Sequence, residues 1–529
     1  MRELTKGSAA KVIMPFALPI IFGNLLQQLY NLADGKIVST YVGTQAFAAV
    51  GATAVIANLI IGFVNGVTQG FGIPISRCFG AGDYKNMRRY VAGSFIMTVA
   101  MTLILTVGAL LGIEGLLHIL DTPADIMEEA LQYIRIIIMG TAFISLYNYS
   151  ANTLRAVGES RIPLLCLAVA VILNIFLDIL FVHTFSMGLR GAAHATNIAQ
   201  CIAGVLCMAY LLFRFRELVP KGQEWQVQRR KYQEMTIFGI SLGMMSCFVS
   251  IGTVIFQTAV NRLGTKIVTA HIAARRIEEL TNVPMLCTGM AMTTYASQNL
   301  GAGEYDRIKK GIHQAFVIVL VQGVIFTTFC WIFGHPLIRW ITSSNDTYIL
   351  DTAYRYLTRN TSFYFVLGPL FVLRCSLQGL EHKVIPVASS ILELVLKIVS
   401  TIWIVPVLGY TGVIYTEPII WTFMTLMLIG GYVRALKQIN EAEHIKSARN
   451  AKAENETLRA DVAAGRRRLH IKAVCQSVRE ATTASGVDNA ASPRLADTAE
   501  RDYFTLRERL ITMQKQLEGT QKYINEQCR

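Results

Sequence analysis

Long apolar stretches alternate with short polar connections over most of the chain. A bilayer core about 30 Å thick requires about 20 apolar residues per helix. The stretches that approach this length predict an all-α membrane protein with twelve transmembrane helices. The predicted spans are residues 12–34, 46–70, 90–113, 131–153, 162–184, 191–213, 236–260, 267–291, 312–334, 353–376, 384–408 and 411–436.

The composition and charge pattern agree with a membrane protein. Hydrophobic residues make up 53% of the chain and charged residues 16%, with a mean hydropathy of +0.43, whereas soluble domains carry about 25% charged residues. Basic residues cluster on alternate connections, as between Arg214 and Lys231, and the connection that holds Asp125 and Glu128 is acidic. The positive-inside rule then predicts that both termini of the membrane unit are cytoplasmic. We attribute the net charge of +14 to topology in a lipid environment rather than to a nucleic-acid partner.

Asn174 and Asp178 stand four residues apart in the apolar run from Leu173 to Phe181. On a helix this spacing places both side chains on one face. An ionised Asp inside a membrane segment costs about 2.5 to 3.5 kcal/mol on insertion scales, so it is expected to face a protein cavity rather than lipid. This pair predicts the core of an ion-coupling site.

An internal repeat divides the apolar region into two halves. The motif SRCFGAGDYKNMRR from Ser76 returns as SQNLGAGEYDRIKK from Ser297, and LRAVGESRIPL from Leu154 pairs with LQGLEHKVIPV from Leu377. Both copies of the GAG loop fall on the same side of the membrane, so the repeat is parallel, with its axis along the membrane normal. Two pseudo-symmetric six-helix bundles facing each other across a cleft are therefore predicted.

The repeat and the charge pattern also predict the domain organisation and argue against an enzyme. The GAG loops lack the Gly and Lys that follow in a phosphate-binding loop, so we interpret them as tight turns between helices. No nucleophile, base and orienting residue form a recognisable set. The predicted segments are an N-terminal six-helix lobe at 1–213, a basic cytoplasmic linker at 214–235, a C-terminal six-helix lobe at 236–440 and a polar tail at 441–529.

The motifs LGAGEYDRIKK, LRAVGESRIP and QQLYNLADGKIV, together with the six-helix repeat, resemble the multidrug and toxic compound extrusion (MATE) family of cation-coupled exporters over about residues 1–440. The resemblance is to the prokaryotic branch, and it implies a bacterial cytoplasmic membrane protein. It also implies H⁺ or Na⁺ as the coupling ion, without a cofactor or another metal. The cation-site motifs of that branch fall on Asp34, Asn174, Asp178 and Thr196.

The predicted topology places these four residues at a similar depth. The fifth helix runs outward from about Ile162, so Asp178 lies about 24 Å along it at ~1.5 Å per residue. Thr196 follows the start of the returning sixth helix, and Asp34 lies late in the outward-running first helix. Carboxylate, amide and hydroxyl oxygens suit a proton or Na⁺. Two structural alternatives stay open: Asp34 as a cap at the end of the first helix, and Asn174 as a polar contact between helices.

Further charged residues lie in the predicted second lobe. Glu393 and Lys397 are four apart, so they form either a structural ion pair or part of a substrate site. Glu417, before Pro418, is expected to be an unpaired intramembrane carboxylate with a role in substrate binding or coupling. Glu278 and Glu279, beside two arginines, are expected to form a charged network near a helix end.

The last 80 or so residues differ from the rest of the chain. Helical stretches are predicted at about 452–482 and 496–526, and an apolar stripe at helical spacing suits a partner helix and thus dimerisation. Residues 451–529 resemble the periplasmic part of a lambdoid phage inner-membrane spanin, a lysis protein. Because that family's N-terminal anchor is absent and the predicted topology is cytoplasmic, we interpret the tail as a fused helical appendage. The stripe consists of Leu506, Leu510, Met513 and Leu517.

These observations predict a secondary transporter that exports amphipathic, often cationic, compounds by alternating access of its two lobes. Two alternatives remain. A flippase for lipid-linked saccharides is favoured by a cationic cleft, whereas exposed acidic residues favour drugs. A lysis or envelope-linking protein acting through the tail is the other.

Overall fold

The computed structural model describes residues 3–119, 122–464, 466, 502–510 and 513–514. These residues are almost entirely helical. The chain divides into two compact units, Met1–Leu436 and Lys437–Arg529, which are described separately.

Seven helices form the first half of the larger unit. Glycines end or interrupt several of them, and α6 continues into a π-helical turn, a feature often found at functional sites. The helices are α1 (Ala9–Tyr41), α2 (Thr44–Gly80), α3 (Tyr84–Ile119), α4 (Ala124–Met139), α5 (Thr141–Ala156), α6 (Arg161–Asp178) with the π-helical turn Ile179–Thr184, and α7 (Gly188–Arg214).

The second half repeats this succession of long, short and π-interrupted helices. It follows a short 3₁₀ helix, Gly222–Trp225. Its helices are α8 (Arg229–Asn261), α9 (Thr265–Ala302), α10 (Tyr305–Thr342), α11 (Thr347–Thr361), α12 (Tyr364–Gly379), α13 (Val384–Val399) with the π-helical turn Ser400–Ile404, α14 (Val405–Leu408) and α15 (Tyr410–Ala463).

Ten helical spans in the described part of the chain are long and apolar enough to cross a membrane by length and composition. They correspond to ten of the twelve predicted spans. The exceptions are 267–291, because α9 carries four charged residues in succession around Ile277, and 353–376, because α11 and α12 are separate and only Tyr364–Gly379 is apolar.

Close backbone packing joins the two halves along α2 and α8. A Cβ atom on Gly66 would lie 2.5 Å from the carbonyl oxygen of Leu242, and one on Gly70 would lie 2.6 Å from that of Phe238. Small residues four apart allow membrane helices to approach in this way. The glycines of α2 thus set the distance between the halves.

The smaller unit is helical where it is described. Residues 502–510 form a helix in which Phe504 is 2% exposed and lies under the guanidinium of Arg459, 5.2 Å from the ring centroid. Leu506, Leu510 and Met513 of the predicted stripe are exposed. Leu517 and most of both predicted tail helices beyond Ala463 lie outside the described residues.

Candidate functional site

The structure brings the four predicted cation-site residues together. Asn174 is 1% exposed and Asp178 is fully buried. In the amide orientation that satisfies both neighbours, Asn174 donates a hydrogen bond to Asp178 Oδ2 at 2.9 Å and accepts one from the backbone N–H of Thr196 at 3.2 Å. The spacing of four on α6 therefore produces one continuous polar face directed toward α7.

Asp34 on α1 completes the cluster. Its carboxyl group lies within hydrogen-bonding reach of that of Asp178. Two carboxyl groups this close hold a proton or a cation between them, because like charges otherwise repel. The Oδ1 atoms of both residues are buried and have no hydrogen-bond partner within the described residues. These two oxygens are the free acceptors that a proton or Na⁺ would use.

The alternative role of Asp34 as a helix cap is wrong. Helix α1 continues through Gly35 and Lys36 to Tyr41, so Asp34 lies inside the helix. Asp178, in contrast, is the last residue of α6 and directly precedes the π-helical turn.

Two tyrosines that the sequence reasoning missed belong to the same cluster. Tyr30 shares a hydrogen bond with the hydroxyl of Thr196 at 3.0 Å. It lies four residues before Asp34, so helical spacing alone places both side chains on one face of α1. Tyr133 on α4 lies within electrostatic reach of both carboxyl groups, and no local pattern marks it. The cluster thus offers carboxylate, amide, hydroxyl and phenol oxygens. Within the described residues, no group of three or more His, Cys, Asp or Glu side chains could hold a metal ion.

A second buried polar cluster occupies the C-terminal half. Lys397 donates to Glu393 at 3.1 Å and lies 3.3 Å from Glu417, and Arg275 lies 3.2 Å from Glu278 and 3.9 Å from Glu417. All four of Glu278, Glu393, Lys397 and Glu417 are less than 9% exposed. Arg374 closes the other end, 3.7 Å from Glu393.

This cluster corrects two sequence expectations. Glu417 is not unpaired, because Lys397 and Arg275 both contact it; these partners lie on other helices and are distant in sequence. Glu278 is not near a helix end but fully buried within α9, where Tyr356 donates to it at 3.0 Å. The predicted pair of Glu393 and Lys397 is present.

The two GAG loops meet at one end of the helices. A Cβ atom on Gly80 would overlap the carbonyl oxygen of Gln298, and one on Gly301 would overlap that of Arg77. The turns themselves use Gly82 (φ 70°) and Gly303 (φ 69°), where glycine tolerates a left-handed backbone. The first glycine of each GAG therefore serves contact between the halves and the second serves the turn.

Side chains reinforce this closure. Arg77 of the first half contacts Glu234 at 3.0 Å and also pairs with Glu381, both in the second half. Ser297 donates to the carbonyl of Ile73 at 2.8 Å. Gln298 donates to the carbonyl of Ala156, also at 2.8 Å. At the end that carries the GAG loops, ion pairs and hydrogen bonds therefore hold the two halves in contact.

Two family models match the chain. The model described as MatE matches residues 19–180 and 242–403. The model described as Bacteriophage Rz lysis protein matches residues 425–529.

Individual relatives agree with this division. The "Probable multidrug resistance protein YpnP" of Bacillus subtilis (strain 168) is 26% identical over 406 residues, which cover 76% of this chain and 88% of that protein. The "Putative endopeptidase RzpR" of Escherichia coli (strain K12) is 81% identical over 88 residues, which cover 17% of this chain and 89% of that protein.

A solved structure shares the fold. It is described as the outward-facing conformation of a multidrug resistance MATE family transporter of the MOP superfamily. Its TM-score is 0.76 at 23% identity, and the alignment covers 83% of this chain and 98% of that one. Through its apolar helices the chain therefore belongs to the MatE family of multi-pass secondary transporters, and through its C-terminal segment it belongs to the bacteriophage Rz lysis protein family.

Proposed function

We propose that the chain exports amphipathic, often cationic, small molecules in exchange for H⁺ or Na⁺, which binds at Asp34, Asn174, Asp178 and Thr196. The observation that carries this proposal is the contact between the carboxyl groups of Asp34 and Asp178, each with one buried oxygen free of partners within the described residues. A bound proton or cation relieves the repulsion between the two carboxylates, and its release restores that repulsion.

The membrane unit is proposed to contain twelve spans in two six-helix bundles. Besides the ten apolar spans, α9 and the pair α11–α12 complete the repeat. The charges of α9 pair with one another, Arg275 with the buried Glu278 and Arg276 with Glu279, which lowers the cost of placing them in a membrane span. In this topology both termini lie in the cytoplasm and the protein resides in the bacterial inner membrane. The linker at 214–235 and the GAG loops share the cytoplasmic side.

Transport is proposed to proceed by alternating access. The contact of Gly80 with Gln298 closes the cleft on the cytoplasmic side, and this contact opens when the halves rock against each other. Exporting cargo against a 100-fold gradient costs ~2.7 kcal/mol, and one charge entering down ~150 mV supplies ~3.4 kcal/mol. A monovalent cationic cargo exchanged one for one would cancel that electrical contribution, so two carboxylates are proposed to take up two cations per cycle.

The charged cluster of the second half is proposed to hold helices together rather than to bind cargo. Glu417, Glu393 and Lys397 already satisfy one another. Because these charges already neutralise one another, they would gain little from binding a charged substrate.

Efflux of ethidium from proteoliposomes tests the coupling proposal. Full-length protein is compared with Asp178→Asn and Asp34→Asn under imposed pH and Na⁺ gradients. The same change at the exposed Asp125 is the control. We expect gradient-driven flux in the wild type and in Asp125→Asn, and its loss in the two site variants. Equal flux in all four proteins would refute the assignment, and the effective gradient identifies the ion.

The C-terminal segment is proposed to act as a helical appendage that pairs with a second copy through its stripe. The exposure of Leu506, Leu510 and Met513 supports this proposal. Light scattering of the full-length protein in detergent, with and without Leu506→Asp and Leu510→Asp, tests it. A mass that stays that of one chain in both proteins contradicts dimerisation.

A further inference from the structure

Arg155, in the last turn of α5, is a half-buried cation to which the structure gives no acidic partner within the described residues. Its Nη1 donates to the side-chain oxygen of Asn152 at 3.3 Å, and its Nε is buried without a hydrogen-bond partner. Within the described residues no carboxylate pairs with it. The titratable groups that sense its charge are Tyr147, Cys207 and Cys287, all neutral at pH 7 by their ordinary pKa values.

This arginine lines a small cavity between the two halves. The cavity walls come from α1, α2 and α5 on one side and from α9 on the other. Apart from Arg155, the polar groups around it are neutral amides and hydroxyls. They are those of Gln69, Ser76, Asn152, Thr293 and Thr294.

The internal repeat shows that the fold does not require a charge at this position. The motif LRAVG of the first half is LQGLE in the second, so the counterpart of Arg155 is Gln378. Gln378 lies at the same place in the last turn of α12 and contacts the sulfur of Met245. A neutral amide is therefore compatible with the same turn, and the charge of Arg155 is not needed to form it.

A guanidinium partly withdrawn from water, with a buried N–H that lacks a partner, is stabilised by an anion or by further hydrogen bonds, and its planar fork matches carboxylate and phosphate oxygens. We propose that the Arg155 cavity binds an acidic group of the transported compound. The substrate class would then include amphipathic molecules that carry a carboxylate or phosphate beside their apolar or cationic part. This inference rests on the proposed transport function and specifies its cargo.

The position of the cavity gives its access route. The carbonyl of Ala156, next to Arg155, accepts hydrogen bonds from Ser76 and from Gln298, so the cavity adjoins the contact that closes the cytoplasmic side. Opening that contact would expose Arg155 to the cytoplasm. The acidic group of a cargo molecule would therefore bind when this side opens.

Fluorescence anisotropy with two matched dyes tests the proposal. Rhodamine B carries a free carboxylate and its ethyl ester does not. Full-length protein in phosphatidylcholine nanodiscs is titrated with both, and the ratio of the two affinities is the readout. We expect the wild type to favour the acid about tenfold, the value of one charge-assisted hydrogen bond. Arg155→Gln should bring the ratio close to one, whereas Arg155→Lys should keep most of it.

Controls separate this result from other causes. Arg161→Gln removes the same charge from an exposed position at the start of the next helix, α6, and should keep the preference for the acid. Nanodiscs with phosphatidylglycerol test whether a lipid headgroup is the anion: loss of the preference there would assign the site to lipid and overturn the cargo proposal. A wild type that binds the acid no better than the ester, or a ratio that Arg155→Gln leaves unchanged, would also overturn it. Gradient-driven efflux is measured with the same purified protein reconstituted in liposomes, so a failure of coupling is seen separately from a failure of acid recognition.

Discussion

Gly80 and Gln298 lie so close that no side chain fits on the glycine. They belong to the two copies of one repeated motif, and a Cβ atom on Gly80 would overlap the carbonyl oxygen of Gln298. Together with the matching contact of Gly301 with Arg77, their contact brings the backbones of the two halves into direct contact.

Gly80→Ala is expected to disfavour this closed contact, because the backbone of Gln298 leaves no room for a methyl group. Hydrogen exchange of the peptides that cover 76–84 and 297–304 should become faster in the variant. Gly108→Ala on α3, where a Cβ atom meets nothing within 4 Å, is the matched control. Unchanged exchange in Gly80→Ala would show that the contact does not limit opening.

Lys397→Met is expected to destabilise the protein by about 3–5 kcal/mol, because Glu393 and Glu417 would lose a buried partner. The thermal unfolding midpoint in detergent measures this loss. Lys266→Met removes a lysine whose side chain is 65% exposed in its pair with Asp346, and such surface pairs contribute about 0–1 kcal/mol. If both variants unfold at the same temperature, the buried cluster does not stabilise the fold as described.

Tyr30→Phe is expected to weaken cation binding about three- to tenfold, since Thr196 loses the hydrogen bond that holds its hydroxyl in place. The readout is the cation concentration that gives half-maximal ethidium efflux, with the maximal rate less affected. The exposed Tyr41 on the same helix provides the control substitution to Phe. An equal shift in both variants would point to a general effect on α1.

Glu224 fixes the linker that precedes α8. Arg88 donates to its carboxylate at 2.7 Å, and the backbone N–H of Lys221 donates to it at 2.8 Å. The hydrogen bond from Arg88 holds the pKa of Glu224 below its ordinary value. The interaction is therefore complete at neutral pH and is lost only as the pH falls through that lowered pKa.

Arg88→Gln is expected to release the linker at pH 7, so that trypsin cleaves faster at Lys221, Arg229 and Arg230. Between pH 6 and 8 the wild-type cleavage pattern should not depend on pH beyond the enzyme's own profile. Cleavage of the variant at the wild-type rate would show that other contacts hold the linker.

The residues that sequence reasoning located are those whose partners are near in sequence or lie on a strong helical pattern. Asn174 and Asp178 were found because spacing on one helix determines a shared face. Asp34 and Thr196 came through the family resemblance, and their distance to α6 was not accessible from local pattern. No local pattern marks Tyr133, because only the packing of α4 brings it to the carboxyl groups.

The errors have the same physical origin. Glu417 was expected to be unpaired because its partners, Arg275 and Lys397, lie on α9 and α13. The GAG motif was correctly interpreted as a turn at Gly82 and Gly303, but a one-dimensional pattern does not reveal that Gly80 and Gly301 face the opposite copy. The spacing of residues along one helix therefore does not predict which residues of other helices they contact.

The charged cluster of the second half has a consequence for electrical measurements. In their ordinary ionisation states, Arg275, Arg374 and Lys397 balance Glu278, Glu393 and Glu417. Moving one elementary charge through 100 mV changes the energy by about 2.3 kcal/mol, but a neutral group displaced as one body transfers no charge. Transient currents recorded during turnover would therefore report the cargo and the Asp34–Asp178 pair, while this charged cluster contributes no current of its own.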